Sequence, residues 1–347
     1  MAPAAIGHEP KAAARAHRRL PCDDVRPADF RTNADVSGLG GTPELADRLA
    51  RLPDGHPSKP DRPSDGPGEV RRLTDAEHAA HVADVKCWLS MAEAAGLATH
   101  VQHTVDGRGE VWSYDRRLVH DALVHSLYAT ASRVPCDGHA VVAGGLPGAG
   151  KTTVLGQHTR IDLASFLTIN PDQIKAEMAQ RRLMPEVSGL TPMEASRLAH
   201  EEASHLAKRL AHRAHAEGKN VIWDVTMSNV HTCAARIGAL QAAGYTRVEG
   251  IFVDIPIALS VTRADTRHRQ GHDEYRAGIG LGGRFLAQEM ILAQADPAWG
   301  SVNRASFEHV RERFSAWARY DNSVDGRAAT LVAEGAGMRR GTRSTAL

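Results

Sequence analysis

The stretch Gly145-Leu146-Pro147-Gly148-Ala149-Gly150-Lys151-Thr152 carries the residue types and spacing that most directly prescribe a chemistry. It fits G-x-x-x-x-G-K-[ST]. Glycines there let successive backbone N–H groups turn toward an anion, and the following helix adds the positive end of its dipole. Lys151 is placed to reach the β- and γ-phosphates of a nucleoside triphosphate, and the Thr152 hydroxyl to ligate nucleotide-bound Mg²⁺, with Thr153 beside it. The context agrees: an apolar run, His139-Ala140-Val141-Val142-Ala143, reads as a strand before the loop, and Thr152-Thr153-Val154-Leu155 opens a helix after it.

Two aspartates come next. Asp172 stands just beyond a second apolar run at 166–170, and Asp224 ends a third at 221–223. In an open parallel sheet, ligands bind beyond the carboxyl ends of the strands, so both carboxylates are expected to face the phosphate loop. One can take the proton of an acceptor hydroxyl while the other holds Mg²⁺ through water or binds the acceptor. Each could also be a plain helix cap. Arg263 and Arg267 lie four apart on an expected helix, and Arg269, Arg276 and Arg284 follow. Solvated ion pairs would explain such charge, but Gly278, Gly280, Gly282 and Gly283 make the intervening segment read as a lid. Arginines on a lid can clamp a transferring phosphoryl group.

Metal signals are weak. His200 and His205 flank Glu201 and Glu202 but sit one residue too far apart for H-E-x-x-H, and the other histidines show no ligand spacing. The four cysteines form no C-x-x-C pair. No structural metal is expected, only Mg²⁺ with the nucleotide.

Positioning these groups requires an α/β domain. Five short strands are expected, at 140–144, 166–170, 221–223, 248–253 and 329–332, separated by helices as in a mostly parallel, doubly wound sheet of the P-loop kinase type. Helices are expected from Thr191 to Gly218, where Thr191-Pro192-Met193-Glu194 carries cap signals, and over 229–243, 257–269 and 306–320. Two earlier helices form an N-terminal preface. One follows the capping box Thr74-x-x-Glu77 with Val82, Val85, Leu89 and Ala92 at helical spacing; the other covers 115–131. The domain reading is a disordered, proline-rich tail over 1–72, a helical preface over 73–136, a kinase domain over 137–335 and a flexible tail over 336–347.

Over its 347 residues the chain has a formal net charge of +1, which gives no reason to expect nucleic acid or a membrane surface as partner. No apolar run approaches a membrane span, and the N-terminus lacks a signal-peptide core, so a cytoplasmic location is expected.

Taken together, the sequence resembles the zeta-toxin family of bacterial kinases. The likeness covers roughly 141–291. It rests on the Leu146-Pro147-Gly148 form of the loop, the Asn170-Pro171-Asp172 turn, the Gly218-x-Asn220-Val221-Ile222-x-Asp224 approach and two arginines after the fourth strand. The resemblance implies ATP- or GTP-dependent phosphorylation of UDP-N-acetylglucosamine and a small helical antitoxin as partner. It assigns phosphate and Mg²⁺ contacts to Lys151 and Thr152, the catalytic base to Asp172, and phosphate clamps to Arg267 and Arg284. Asp224 stands where the family usually has a glutamate. The family's acceptor-binding acidic residue has no clean counterpart: Lys208 stands where it is sought, and Glu201 and Glu202 are the nearest carboxylates. Two other readings remain, a P-loop kinase of another small alcohol (an antibiotic, a nucleotide or a cofactor ribose) and a nucleotide-switched regulatory NTPase.

Overall fold

The computed structural model describes residues 71–107, 109 and 111–337. The tails expected over 1–72 and 336–347 fall almost wholly outside the described residues.

Helix α1, Asp75–Ala94, begins where the capping box places it. Thr74 Oγ1 accepts from the Glu77 N–H at 3.3 Å and Glu77 Oε2 accepts from the Thr74 N–H at 2.8 Å. Its buried face, Val85, Leu89 and Ala92, packs with Val187, Leu198 and Phe285 rather than on the sheet. Helix α2, Tyr114–Thr130, is capped by the Ser113 side chain and joins the main core through Leu123, Val124 and Tyr128.

The sheet has six strands, one more than the sequence suggests. They are β1 (His139–Gly144), β2 (Leu167–Ile169), β3 (Val221–Asp224), β4 (Arg247–Asp254), β5 (Ala316–Asp321) and β6 (Thr330–Ala336). The spatial order is β2-β3-β1-β4-β5-β6; the first five run parallel and β6 is antiparallel to β5. The inner strands are apolar on both faces because helices cover both. One layer contains α4 (Pro171–Gln180), α5 (His200–Ala216), α6 (Val230–Ala242) and α8 (Val302–Val310), whose apolar faces meet Val142, Trp223 and Phe252. The other contains α3 (Lys151–His158) and α7 (Ile257–Arg276), around Val141, Ile222 and Val253.

Three expectations need correction. Residues 306–320 are not one helix: α8 stops at Val310 and residues 316–321 form β5. Phe314, Trp317 and Tyr320 mimic a helical stripe, yet Trp317 joins the core on one face of the sheet and Tyr320 the core on the other. Odd spacing does this in a strand and not in a helix. The free edge of β4 supplies the hydrogen-bonding partner that decides the matter. Second, Thr191 and Glu194 form reciprocal cap bonds of 2.8 and 3.3 Å, but only a 3₁₀ turn, Ala195–Ala199, follows before α5 starts. Third, α7 runs to Arg276, beyond 257–269, because Ser260, Ala264, His268 and His272 continue one buried face at four-residue spacing.

Candidate functional site: a phosphate loop facing two aspartates and an arginine lid

The loop after β1 turns back on itself through Gly150, which caps α3 in the left-handed region at φ 81°. That φ favours glycine, and a Cβ at Gly150 would also push aside the Asn322 side-chain amide. Asn322 earns its place by structure: it follows β5, and its Nδ2 donates to the Ala149 carbonyl at 2.8 Å. Arg263 on α7 braces the same loop, donating to the Gly148 carbonyl at 3.2 Å and the Asn322 carbonyl at 3.0 Å. Leu146 is buried beneath the loop, and the Gly145 carbonyl accepts from Lys151 Nζ at 3.3 Å.

A cleft of about 990 Å³ opens above this loop, lined by Pro147 to Thr153 on one side. Asp172, Asp224, Arg267 and Arg284 also line it. The carboxyl-end rule for parallel sheets therefore describes this molecule: β2 and β3 end at the cleft and deliver their aspartates to it.

The two carboxylates are held differently. Asp224 lies 3.4 Å from Lys151 Nζ, and its other oxygen accepts from Asn170 Nδ2 at 2.9 Å. Asp172, in the first turn of α4, is paired with Arg284 and has Lys175 Nζ 3.4 Å away. The Asn170 side chain, not Asp172, caps that helix, accepting from the Asp172 N–H at 2.8 Å. The cap role is thus filled by a neighbour, which leaves the Asp172 side chain to the cleft.

Arg267 opens onto the solvent of the cleft, yet the surrounding protein crowds it enough that burial lowers its pKa. No carboxylate pairs with Arg267 among the described residues. Burial lowers Arg284 in the same direction. A guanidinium stays protonated near neutrality even when it is partly buried. Both arginines are therefore cations facing the loop, one of them free to take an anion.

The acidic pair proposed for an acceptor separates. Glu202 is buried and points away from the cleft into α2, accepting from Arg116 Nε at 2.6 Å and bonded to His120 Nε2 at 2.6 Å. Burial would raise its carboxyl, but hydrogen bonds from His120 and Arg116 bring it down to about 2. It is a structural ion pair, not a cleft residue. Glu201 is exposed on the first turn of α5 and acts on Lys175 electrostatically, outside the cleft lining.

Sequence reasoning missed two cations. Lys175 is buried one turn after Asp172, and burial pulls its ammonium down to about 8 against the attraction of Glu201. Its i+3 spacing from Asp172 was the available signal. Arg236 on α6 lines the cleft with its guanidinium 4.5 Å from the centre of the Trp223 ring. Nothing in the sequence marked Arg236, because the contact joins two distant segments.

The Thr152 hydroxyl is exposed and the Asp224 carboxylate stands beside Lys151, so the cleft offers the hard oxygen donors that suit Mg²⁺. No helix among the described residues is long and apolar enough to cross a membrane.

No curated protein matches the chain. Similar solved structures include the AvrRxo1-ORF1:AvrRxo1-ORF2 complex with sulphate ions, at 16% identity and TM-score 0.48, covering 77% of this chain and 74% of that one. The same complex with ATP matches at 14% identity and TM-score 0.45, with coverage of 77% and 74%. A structure from the PezAT chromosomal toxin–antitoxin system of Streptococcus pneumoniae matches at 17% identity and TM-score 0.43, covering 62% of this chain and 79% of that one. The zeta toxin family profile matches residues 131–323, more than half of the chain and all of the cleft described above. The chain belongs to the zeta toxin family.

Proposed function

We propose that this protein is a kinase that moves the γ-phosphoryl group of ATP or GTP onto a hydroxyl of a small acceptor, with UDP-N-acetylglucosamine as the acceptor the family points to. The observation that carries the reading is the placement of Asp172 and its arginine partner across one cleft from Lys151. Residues 145–153 cradle the triphosphate, and Lys151 follows the charge that grows on the departing phosphates. Mg²⁺, held by the nucleotide and Thr152, neutralises phosphate charge when bound. Asp224 orients Lys151 and is available to the cation or the acceptor. The acceptor oxygen forms a bond to the γ-phosphorus as the β–γ bridging P–O bond breaks. Its proton passes to the Asp172 carboxylate, and the nucleoside diphosphate leaves. Arg267 and Arg284 hold the transferring group in cis.

A candidate acceptor base in the cleft favours transfer over a nucleotide switch, which needs none. Phosphorylation of a cell-wall precursor makes the protein a toxin, in the cytoplasm where nucleotide sugars are found, with a small antitoxin that blocks the nucleotide site. The test is incubation with γ-labelled ATP or GTP, with and without UDP-N-acetylglucosamine, beside Lys151→Ala. Label in the sugar nucleotide, lost in the variant, supports the reading. Label transferred only to another alcohol replaces the acceptor, and release of inorganic phosphate alone overturns the kinase.

A further inference from the structure

Away from the cleft, two helices bring three imidazoles onto one carboxylate. Glu194 precedes the 3₁₀ turn before α5 and is fully buried. Its Oε1 lies 2.6 Å from His81 Nε2 on α1, 2.9 Å from His268 Nε2 and 3.3 Å from His272 Nδ1, both on α7. Its Oε2 accepts from the Thr191 N–H at 2.8 Å. All three histidines are buried too.

A hydrogen-bond network alone accounts poorly for this cluster. The Glu194 carboxyl lies wholly buried among three imidazoles. No lysine or arginine reaches it among the described residues, and an isolated buried charge is costly unless a cation compensates it. On the other side, His272 is 5% exposed and neither of its ring nitrogens has a hydrogen-bond partner. The unpartnered ring nitrogens of His272 and the Glu194 carboxylate face the same point.

We propose that His81, Glu194 and His272 form a binding site for a divalent transition cation of the zinc type, with His268 donating to the carboxylate from the next turn of α7. The donor atoms of these three residues lie within 4.8 Å of one another. A tetrahedral zinc site with bonds of about 2.0–2.1 Å needs its donors about 3.3 Å apart, so small side-chain adjustments suffice. Imidazole with one carboxylate selects zinc, cobalt or nickel and not Mg²⁺, which separates this site from the nucleotide's cation. His268 has the role that outer hydrogen bonds have around metal ligands, fixing the carboxylate.

The position gives the site a consequence. His81 belongs to α1, outside the family-matched residues 131–323, whereas His272 shares α7 with Arg267. Gly283, next to Arg284, packs so closely on the His268 carbonyl that a Cβ there would collide with it. A cation would pin α1 to the helix on which the arginine lid rests.

The experiment uses the full chain, stripped with chelator, then titrated with Co²⁺ and with Zn²⁺ in the presence of excess Mg²⁺. One equivalent per chain is expected, with the visible bands of four-coordinate cobalt and a higher melting temperature with zinc. His81→Gln and His272→Gln should each weaken binding at least tenfold, and Thr152→Ala should not. X-ray absorption of the zinc-loaded wild type needs no variant: a first shell of two imidazoles and a carboxylate oxygen is expected. No bound metal, wild-type affinity in both glutamine variants, or a shell without imidazole would overturn the site.

Discussion

Arg284 pairs with the carboxylate of Asp172, so the proposed phosphate clamp and the proposed base meet directly. The pair ties Arg284 to the first turn of α4, and both line the same cleft as Lys151. A triphosphate entering the cleft competes with Asp172 for Arg284, and that exchange would free the carboxylate for the acceptor proton.

Arg284→Ala is therefore expected to lower kcat by about 10²-fold or more, with nucleotide affinity changed far less, since clamp energy is realised in the transition state. Steady-state kinetics beside equilibrium nucleotide binding check this. A loss confined to nucleotide affinity would make Arg284 an ordinary ground-state contact.

Lys175 gives a pH-dependent stability signature. Its folded pKa is pulled from 10.5 to about 8 by burial, so between these values the folded chain holds fewer protons than the unfolded one. Its penalty is full below pH 8 and fades as pH rises toward 10.5. Lys175→Met should stabilise the protein by roughly 2–3 kcal/mol at pH 7, with the gain shrinking toward pH 10. Urea unfolding at both pH values reads this out, and a gain that grows with pH would contradict it.

Glu202→Gln should act on the fold and not on the acceptor. It leaves Arg116 as a buried charge without its anion, a loss of about 3–5 kcal/mol. Because hydrogen bonds from His120 and Arg116 hold the Glu202 carboxyl down at about 2 against its ordinary 4.5, its contribution is present above pH 4.5 and drains away below it. Melts of wild type and variant should stay apart from pH 7 to pH 4.5 and converge only as the pH falls toward 2. A stable variant with a raised acceptor KM would return Glu202 to the site.

The parts of the site set by local sequence were legible. Gly145 to Thr152 declare an anion nest by glycine spacing, and Thr74-x-x-Glu77 declares a helix start by reciprocal capping. What failed depended on distant partners. Residues 316–321 become a strand because β4 has an edge to fill. Glu202 leaves the cleft because Arg116 and His120, from an earlier helix, claim it. The histidine cluster shows only as His268 and His272 four apart on α7, a pair that gains meaning once α1 brings His81 alongside.

The most direct measurement is the rate of acceptor phosphorylation by Asp172→Asn, taken beside nucleotide binding. Asparagine keeps the size of the side chain but cannot take the acceptor's proton, and Asn170 already caps the helix. The expected result is normal folding, retained nucleotide binding and a rate lowered by about 10²–10⁴. An Asp172→Asn enzyme that phosphorylates UDP-N-acetylglucosamine at the wild-type rate would contradict the account.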